Sequence, residues 1–565
     1  NRAEGPRRAG VSSFGIDGTC LHAVLESLEN RPDEQGVQGE RRRPLRSRGG
    51  GIFLIPGPDA AALKEGLARL KGWLSERDPA ASGDALARDW RLSGGRNAEG
   101  SEGLCVSLVA EDWTELLKLA DEAAAAVAKD PERALGADRV YYSPNPLGRE
   151  GTTAFVFPGS GNQYLGMGRG LWTQWPEIIR NLDAENGYLL EQFVPTLFSP
   201  WRLSWDGNWS AEAEAEVLRD YKAMIFGSVS HGAAVSDLLR RLGLKPRAML
   251  GYSLGETAAL FATRAWTARD EMLRRMRESS LFESDLAGAC DAVRRFWELP
   301  KEEKVDWVLV VIDRPADNVR TALRGIERAA LLIVNAPLEC VVGGYRKAVD
   351  SLVEGLGCVF LPLHGVSTVH FEAAKLVEKK YRDLHTLPTT PPPGIKFYSG
   401  AWGKSYEVTK ESAARSITAQ AIGHLDFPAL VRQAYEDGVR VFVETGPQAS
   451  CTRMIGKILS GRPHLAKSAC QRGQDPVGSV LRLLAHLAAE RVPVDLSLLY
   501  GGEEVPGGLP LKAAAAASVC VPIGRGGAPA RVALPEVPSP EIPPPPAAPA
   551  PRAPLPVPAP LPPRQ

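Results

Sequence analysis

The chain has 565 residues, 44% of them hydrophobic and 24% charged, which is enough for one large core or several smaller ones. Lys plus Arg number 67 and Asp plus Glu number 67, so the formal net charge is zero, which argues against a nucleic-acid or membrane partner recruited by global charge. No apolar run approaches the roughly 18 residues of a membrane-spanning helix, and the eight cysteines show no CxxC pair or zinc-type spacing, as suits a reducing, cytosolic setting.

The first residue is Asn1 and NRAEGPRRAG lacks an apolar signal core, so the chain is expected to be an internal piece of something longer, without a secretory signal. Residues 30–51, rich in Arg, Glu and Gly, read as a loop. GGIFLIPG then predicts a strand, DAAALKEGLARLKGWLSE a helix, LCVSLVA a strand and WTELLKLADEAAAAVA a helix. Together they predict a small α/β module ahead of the main unit.

The main unit opens at TTAFVFPGSGNQYLGMG, a buried strand over 153–157 that runs into a glycine-rich turn and a helix. Helical spacing recurs over 220–242, and a strand at Ala248, Met249 and Leu250 leads into GYSLGETAALFATRAW, where strand meets helix at a tight turn. Between 307 and 366 the order WVLVVID, NVRTALRGIE, ALLIVN, ECVVGG, AVDSLVEGLG, CVFLPL is βαββαβ, the ferredoxin-like order of a compact subdomain. HFEAAKLVEKKYRDL, read as a helix, returns the chain to the larger unit, which VRVFVETGPQASCTRMIGKIL ends with a strand, a turn and a helix. From about residue 506 the composition turns to Ala and Pro; such a segment packs no core and is expected to be an extended polyproline II tether. The expected fold class is α/β with an inserted ferredoxin-like subdomain.

The chemistry centres on GYSLG at 251–255, a G-x-S-x-G match between a predicted strand and a predicted helix. That context places Ser253 on a sharp turn, its hydroxyl at a helix N-terminus where backbone N–H groups stabilise an oxyanion. Serine needs a base to take its proton, and spacing alone does not choose among His22, His231, His364, His370, His385, His424, His464 and His486. The glycine-rich turn at 159–168 lacks the Lys-Ser/Thr of a phosphate loop, and no cofactor or metal motif is present.

FVFPGSGNQYLGMGRGL, GYSLGE, the βαββαβ insertion with VNAP, STVHFE and VETGPQ resemble, in order and spacing, the acyltransferase domains of fatty acid and polyketide synthases. LFESDLAGACDAVRRFW, HTLPTTPPPGIKFYSGAWG and SCTRMIGKILSGRPHLAKSACQRG are most similar to the acyltransferase of bacterial polyunsaturated fatty acid synthases. The resemblance implies a large α/β-hydrolase-like acyltransferase core over 151–500 with its small subdomain at about 306–368. It also implies the C-terminal remnant of a ketosynthase or chain-length-factor-like domain at 1–29, where GVSSFGIDGTCLHAVLE carries His22 and Cys20, a ketosynthase–acyltransferase linker at 30–150 and an interdomain linker at 501–565.

By the same resemblance Ser253 is the acyl-accepting nucleophile, His370 its base with His364 as the fallback, and Gln420 the amide that orients the histidine. The backbone N–H groups of Ser160 and Leu254 form the oxyanion hole. Glu278 falls where malonyl-selective relatives keep an arginine, unless a shifted alignment puts Arg275 or Arg277 there; a carboxylate would select against dicarboxylic acyl groups. Tyr252 replaces the customary His, and Val369 is smaller than the Phe of one polyketide pattern, leaving room for a longer apolar chain. The implied substrates are acyl-CoA and a phosphopantetheinyl carrier protein, with no bound cofactor or metal. The implied partners are that carrier protein and other domains of the same synthase in the cytoplasm, without nucleic acid or membrane insertion. Hydrolysis to a free fatty acid and a non-catalytic structural role are the alternatives.

Overall fold

The computed structural model describes residues 8–14, 20–26, 49–94, 102–137, 139–200, 207–363 and 367–500. Most of the Arg-, Glu- and Gly-rich stretch, the side chain of Cys20, His364 and the Ala/Pro-rich tail lie outside the described residues.

Strands Thr152–Phe157 and Ala248–Gly251 are buried almost throughout, the pattern of parallel strands covered on both faces. They sit at the middle of a six-stranded sheet whose order is Lys404–Tyr406, Lys396–Ser399, Ala248–Gly251, Thr152–Phe157, Val439–Glu444, Leu465–Ser468. All neighbours run parallel except the edge pair formed by the first two. Helix Tyr221–Arg241, buried along most of its length, packs on helix Gly255–Ala262, in which every residue is buried. A helix buried on all sides lies inside a core, and this one begins just after Ser253.

The βαββαβ segment folds as read: Trp307–Ile312, helix Ala316–Leu323, Ala329–Ala336, Glu339–Tyr345, helix Arg346–Leu356, Phe360–Leu363. Its sheet order, Phe360–Leu363, Trp307–Ile312, Glu339–Tyr345, Ala329–Ala336, with every pair antiparallel, is the ferredoxin-like one. A short strand absent from the sequence reading, Leu425–Asp426, adds in parallel to Ala329–Ala336. It follows helix Lys410–Ile422, so the helix that carries Gln420 is tied directly to the small subdomain.

The upstream module is a four-stranded antiparallel sheet, ordered Gly51–Gly57, Leu104–Ala110, Val140–Tyr142, Leu135–Ala137. Asp59 and Asp112 cap its helices Ala60–Ser75 and Trp113–Lys129 by accepting from the N–H groups of Ala62 and Glu115. The late helix Pro476–Ala489 packs on this sheet, and the Tyr500 hydroxyl accepts from Ile52 N at 2.7 Å. Residues 8–14 and 20–26 pair as an antiparallel ribbon in which the Ser12 hydroxyl lies 2.8 Å from His22 Nδ1.

One local expectation is corrected. The helix read from His370 onward starts later, as a 3-10 turn over Glu372–Val377 and an α-helix over Glu378–His385. His370 and Phe371 are held outside it because both of their N–H groups donate to Ala421 O, at 2.7 and 3.3 Å.

Candidate active site

Ser253 has φ of 54°, a left-handed conformation that residues with a side chain avoid unless the surroundings hold them there. Two hydrogen bonds hold the turn: Tyr252 N donates to Phe157 O and Gly255 N to Tyr252 O, both at 2.9 Å. The flanking glycines are required by close approach. A Cβ on Gly251 would stand 2.0 Å from Glu256 N, and one on Gly255 1.9 Å from Phe157 O. The turn lifts the Ser253 hydroxyl out of the backbone and sets its Oγ 2.7 Å from His370 Nε2.

His370 also has a positive φ, 63°. Its Nδ1 is 2.6 Å from the main-chain oxygen of Gln420. A carbonyl only accepts, so Nδ1 carries the proton and Nε2 presents its lone pair to the serine. The ring is 6% exposed, and burial pulls its pKa down to about 4, so the imidazole is neutral at pH 7. The expected role of the Gln420 amide is corrected here: it is the Gln420 carbonyl that meets the histidine. The amide nitrogen reaches Ser253 O at 3.3 Å and Glu256 Oε2 at 3.4 Å instead.

Glu256, absent from the sequence reading as a site residue, is a buried carboxylate one turn beyond Ser253. It accepts from Gly400 N at 3.1 Å, from the Tyr406 hydroxyl at 3.0 Å, from the Ser416 hydroxyl and from Gln420 Nε2. Burial raises its pKa, against the pull of these donors. The signal was available in GETAALFA, where one acid stands in an otherwise apolar helix.

Ser160, in the turn after Thr152–Phe157, and Leu254 line one cavity with Ser253 and His370. The main-chain N–H of neither donates to a protein acceptor among the described residues. The Ser160 turn is braced by Asn162 Nδ2 donating to Gly159 O at 3.0 Å and by Gly161 N donating to Gln163 Oε1 at 2.8 Å.

The cavity has a volume of about 170 Å³, and no Lys, Arg, Asp or Glu lines it. Met272, Met276 and Phe282 come to it from the large unit, and Leu332 and Ile333 from the small subdomain. Tyr252 and Val369 also line it, and the Tyr252 hydroxyl is tied back to Asn335 Oδ1 at 2.7 Å. Glu278 does not reach this space, which corrects the expectation that it meets the acyl group. Its side chain is 62% exposed and pairs with Arg274 at 2.6 Å. On a 3.6-residue helix a position two beyond cavity-facing Met276 lies on the far side. Arg275 is bound by Glu271 and by the carbonyls of Asp383 and Thr386, and Arg277 by Glu191, so neither supplies a cation to the cavity.

His370 also borders a second, more open cleft of about 550 Å³, whose walls carry Lys375, Arg382, Arg415 and His424 as well as Glu372 and Glu378. Among the described residues no group of three or more His, Cys, Asp or Glu is placed to hold a metal ion, and no helix is long and apolar enough to cross a membrane.

No family model matches the chain. Over 508 residues, 88% of the chain, it is 24% identical to the phenolphthiocerol synthesis polyketide synthase type I Pks15/1 of Mycobacterium marinum, and spans 22% of that protein. Over 378 residues, 62% of the chain, it is 22% identical to a polyunsaturated fatty acid synthase polypeptide of a Thraustochytrium species, of which it spans 18%. The chain thus covers about a fifth of the length of each of these relatives. Among solved structures, the acyl transferase domain of ZmaA superposes with a TM-score of 0.62 at 20% identity, covering 82% of this chain and 99% of that one. The acyltransferase domain from module 8 of the salinomycin polyketide synthase superposes with 0.61 at 20% identity, covering 80% and 98%. The chain therefore has the acyltransferase fold, a large α/β core with a small ferredoxin-like subdomain.

Proposed function

We propose that the chain is the acyltransferase of a polyunsaturated fatty acid or polyketide synthase, moving an uncharged acyl group between thioesters through an acyl-serine. The observation that carries this reading is the Ser253–His370 pair, 2.7 Å apart on an uncharged cavity. Ser253 Oγ attacks the thioester carbonyl and its proton passes to His370 Nε2, while the N–H groups of Leu254 and Ser160 receive the developing oxyanion. The C–S bond breaks, and the departing thiolate takes the proton from the imidazolium. An acceptor thiol then gives its proton to His370 and attacks the acyl-serine; Ser253 leaves, recovering that proton.

Acyl-CoA and a phosphopantetheinyl carrier protein are the donor and acceptor, with no bound cofactor or metal. The cationic side chains of the second cleft beside His370 suit their phosphates. A dicarboxylic extender would place its free carboxylate among methionines with no cation, so malonyl groups are disfavoured. The resemblance of 1–29 to a ketosynthase end and of 30–150 to the linker after it, with the likeness to a polyunsaturated fatty acid synthase, supports partners within one cytosolic megasynthase. The free thiols of the described cysteines accord with that compartment.

Intact-mass measurement after incubation with malonyl-CoA and decanoyl-CoA, with and without carrier protein, tests the reading. Decanoylation lost in Ser253→Ala and passed on to the carrier is expected. Stable malonylation would overturn the specificity, rapid release of free acid would favour a hydrolase, and no acylation from any donor would favour a structural domain.

A further inference from the structure

One wall of the uncharged cavity is polar. Tyr381 and His385, one turn apart on helix Glu378–His385, stack with ring centroids 4.7 Å apart at 26°, and both line the cavity. They are 9% and 5% exposed. His385 Nδ1 lies 2.8 Å from the Tyr381 main-chain oxygen, so Nδ1 bears the proton and Nε2 offers a bare lone pair. Among the described residues no donor reaches that Nε2, and the Tyr381 hydroxyl has no hydrogen-bond partner. Neither atom is sealed in protein, although both residues are more than nine-tenths buried, so the space they meet is the cavity.

Polar atoms left unpaired in an apolar site are costly, and a site built to pair with a substrate hydroxyl rejects analogues that lack it. We infer that this cavity selects acyl chains that carry a hydroxyl group, seated between the Tyr381 phenol and the lone pair of His385 Nε2. A hydroxyl fits both at once: its oxygen accepts from the phenol and its hydrogen donates to the imidazole. A ketone satisfies only the phenol, a methylene neither, and a carboxylate finds no cation. The inference rests on the acyl-transfer reading and names the substrate class of that same site.

The test uses decanoyl pantetheine thioesters with a hydroxyl at successive carbons, the matching ketones and the plain chain, and measures kcat/KM for acylation of Ser253. At least one hydroxy isomer is expected to exceed the plain chain tenfold or more, with its ketone in between. Tyr381→Phe, which keeps the ring, and His385→Phe should abolish that preference while the thermal midpoint stays level or rises. Plain-chain acylation with no isomer preferred, or a preference that survives in Tyr381→Phe, overturns the inference and leaves water as the occupant. Failure of every thioester to acylate Ser253 would instead remove the acyl-transfer reading itself.

Discussion

Glu256→Gln isolates the residue on which the site's geometry converges. All four groups around the carboxylate donate: the Ser416 and Tyr406 hydroxyls to one oxygen, Gly400 N and Gln420 Nε2 to the other. Glutamine fits these partners in one orientation only, with its oxygen toward Gly400 N and Gln420 Nε2 and its NH₂ toward the two hydroxyls, which must then turn to accept, Ser416 donating to Ser399 instead. Hydrogen bonds to a charged group contribute roughly 1.5–3 kcal/mol each and neutral ones roughly 0.5–1.5, so making all four neutral costs about 4–6 kcal/mol. Relief from burying a charge offsets part of this, leaving a net loss of about 2–4 kcal/mol. The catalytic consequence follows from connectivity. Gln420 is the residue whose main-chain carbonyl holds His370 Nδ1, and its amide also reaches Ser253 O, so weakening the hold on that amide loosens both partners of the 2.7 Å pair. A displacement near 1 Å lowers the rate about 100-fold. Urea unfolding and the single-turnover rate of Ser253 acylation measure the two effects. A Glu256→Gln protein with the wild-type denaturation midpoint and acylation rate would refute the reasoning.

Two further outcomes are expected. Because burial draws the His370 pKa down to about 4, the neutral base persists well below its ordinary 6.5; acylation should stay level from pH 8 to near 5 and fall as pH drops through about 4. A half-loss at pH 6.5 in a pH series of acylation rates would contradict this. Met276→Arg places a guanidinium at a cavity-facing position and should make malonylation of Ser253 detectable by intact mass while lowering decanoylation at least tenfold; malonylation still absent from the folded variant would show that the carboxylate does not approach Met276.

The α/β class, the ferredoxin-like order and the elbow were legible because each is written locally: a continuous apolar run for a buried parallel strand, and glycines around Ser253 where backbones approach within van der Waals distance. What escaped was non-local. Strand Leu425–Asp426 is two residues long and exists only because Ala329–Ala336 has an open edge beside it. The partner of His370 is a main-chain oxygen, which no side-chain motif encodes. Glu278 was placed by counting along the chain, yet what decides contact is the angle around the helix, and two residues beyond Met276 that angle points to solvent. Tyr381 and His385 form a site only once their helix lies against Arg269–Glu278, a packing fixed by Arg275 donating to the Asp383 and Thr386 carbonyls.

The lack of a carboxylate on His370 bears on which acceptor the site serves. A neutral carbonyl fixes the tautomer, but it stabilises the imidazolium less than a buried carboxylate would. Burial adds to that cost, as the lowered pKa states. This base already takes a proton from the Ser253 hydroxyl, which the 2.7 Å contact holds in place; a diffusing water, whose pKa is about 15.7, asks as much without that positioning, whereas a thiol, whose pKa is about 8.5 and whose sulfur is the stronger nucleophile, asks far less. A thioester donor needs no stronger acid either, since its thiolate departs readily. Away from the Tyr381–His385 wall the lining is largely apolar, Met272, Met276, Phe282, Leu332 and Ile333 among it, and acts in the same direction by offering water few groups to bind. Base strength and cavity chemistry therefore both favour transfer to a pantetheine thiol over release of a free acid.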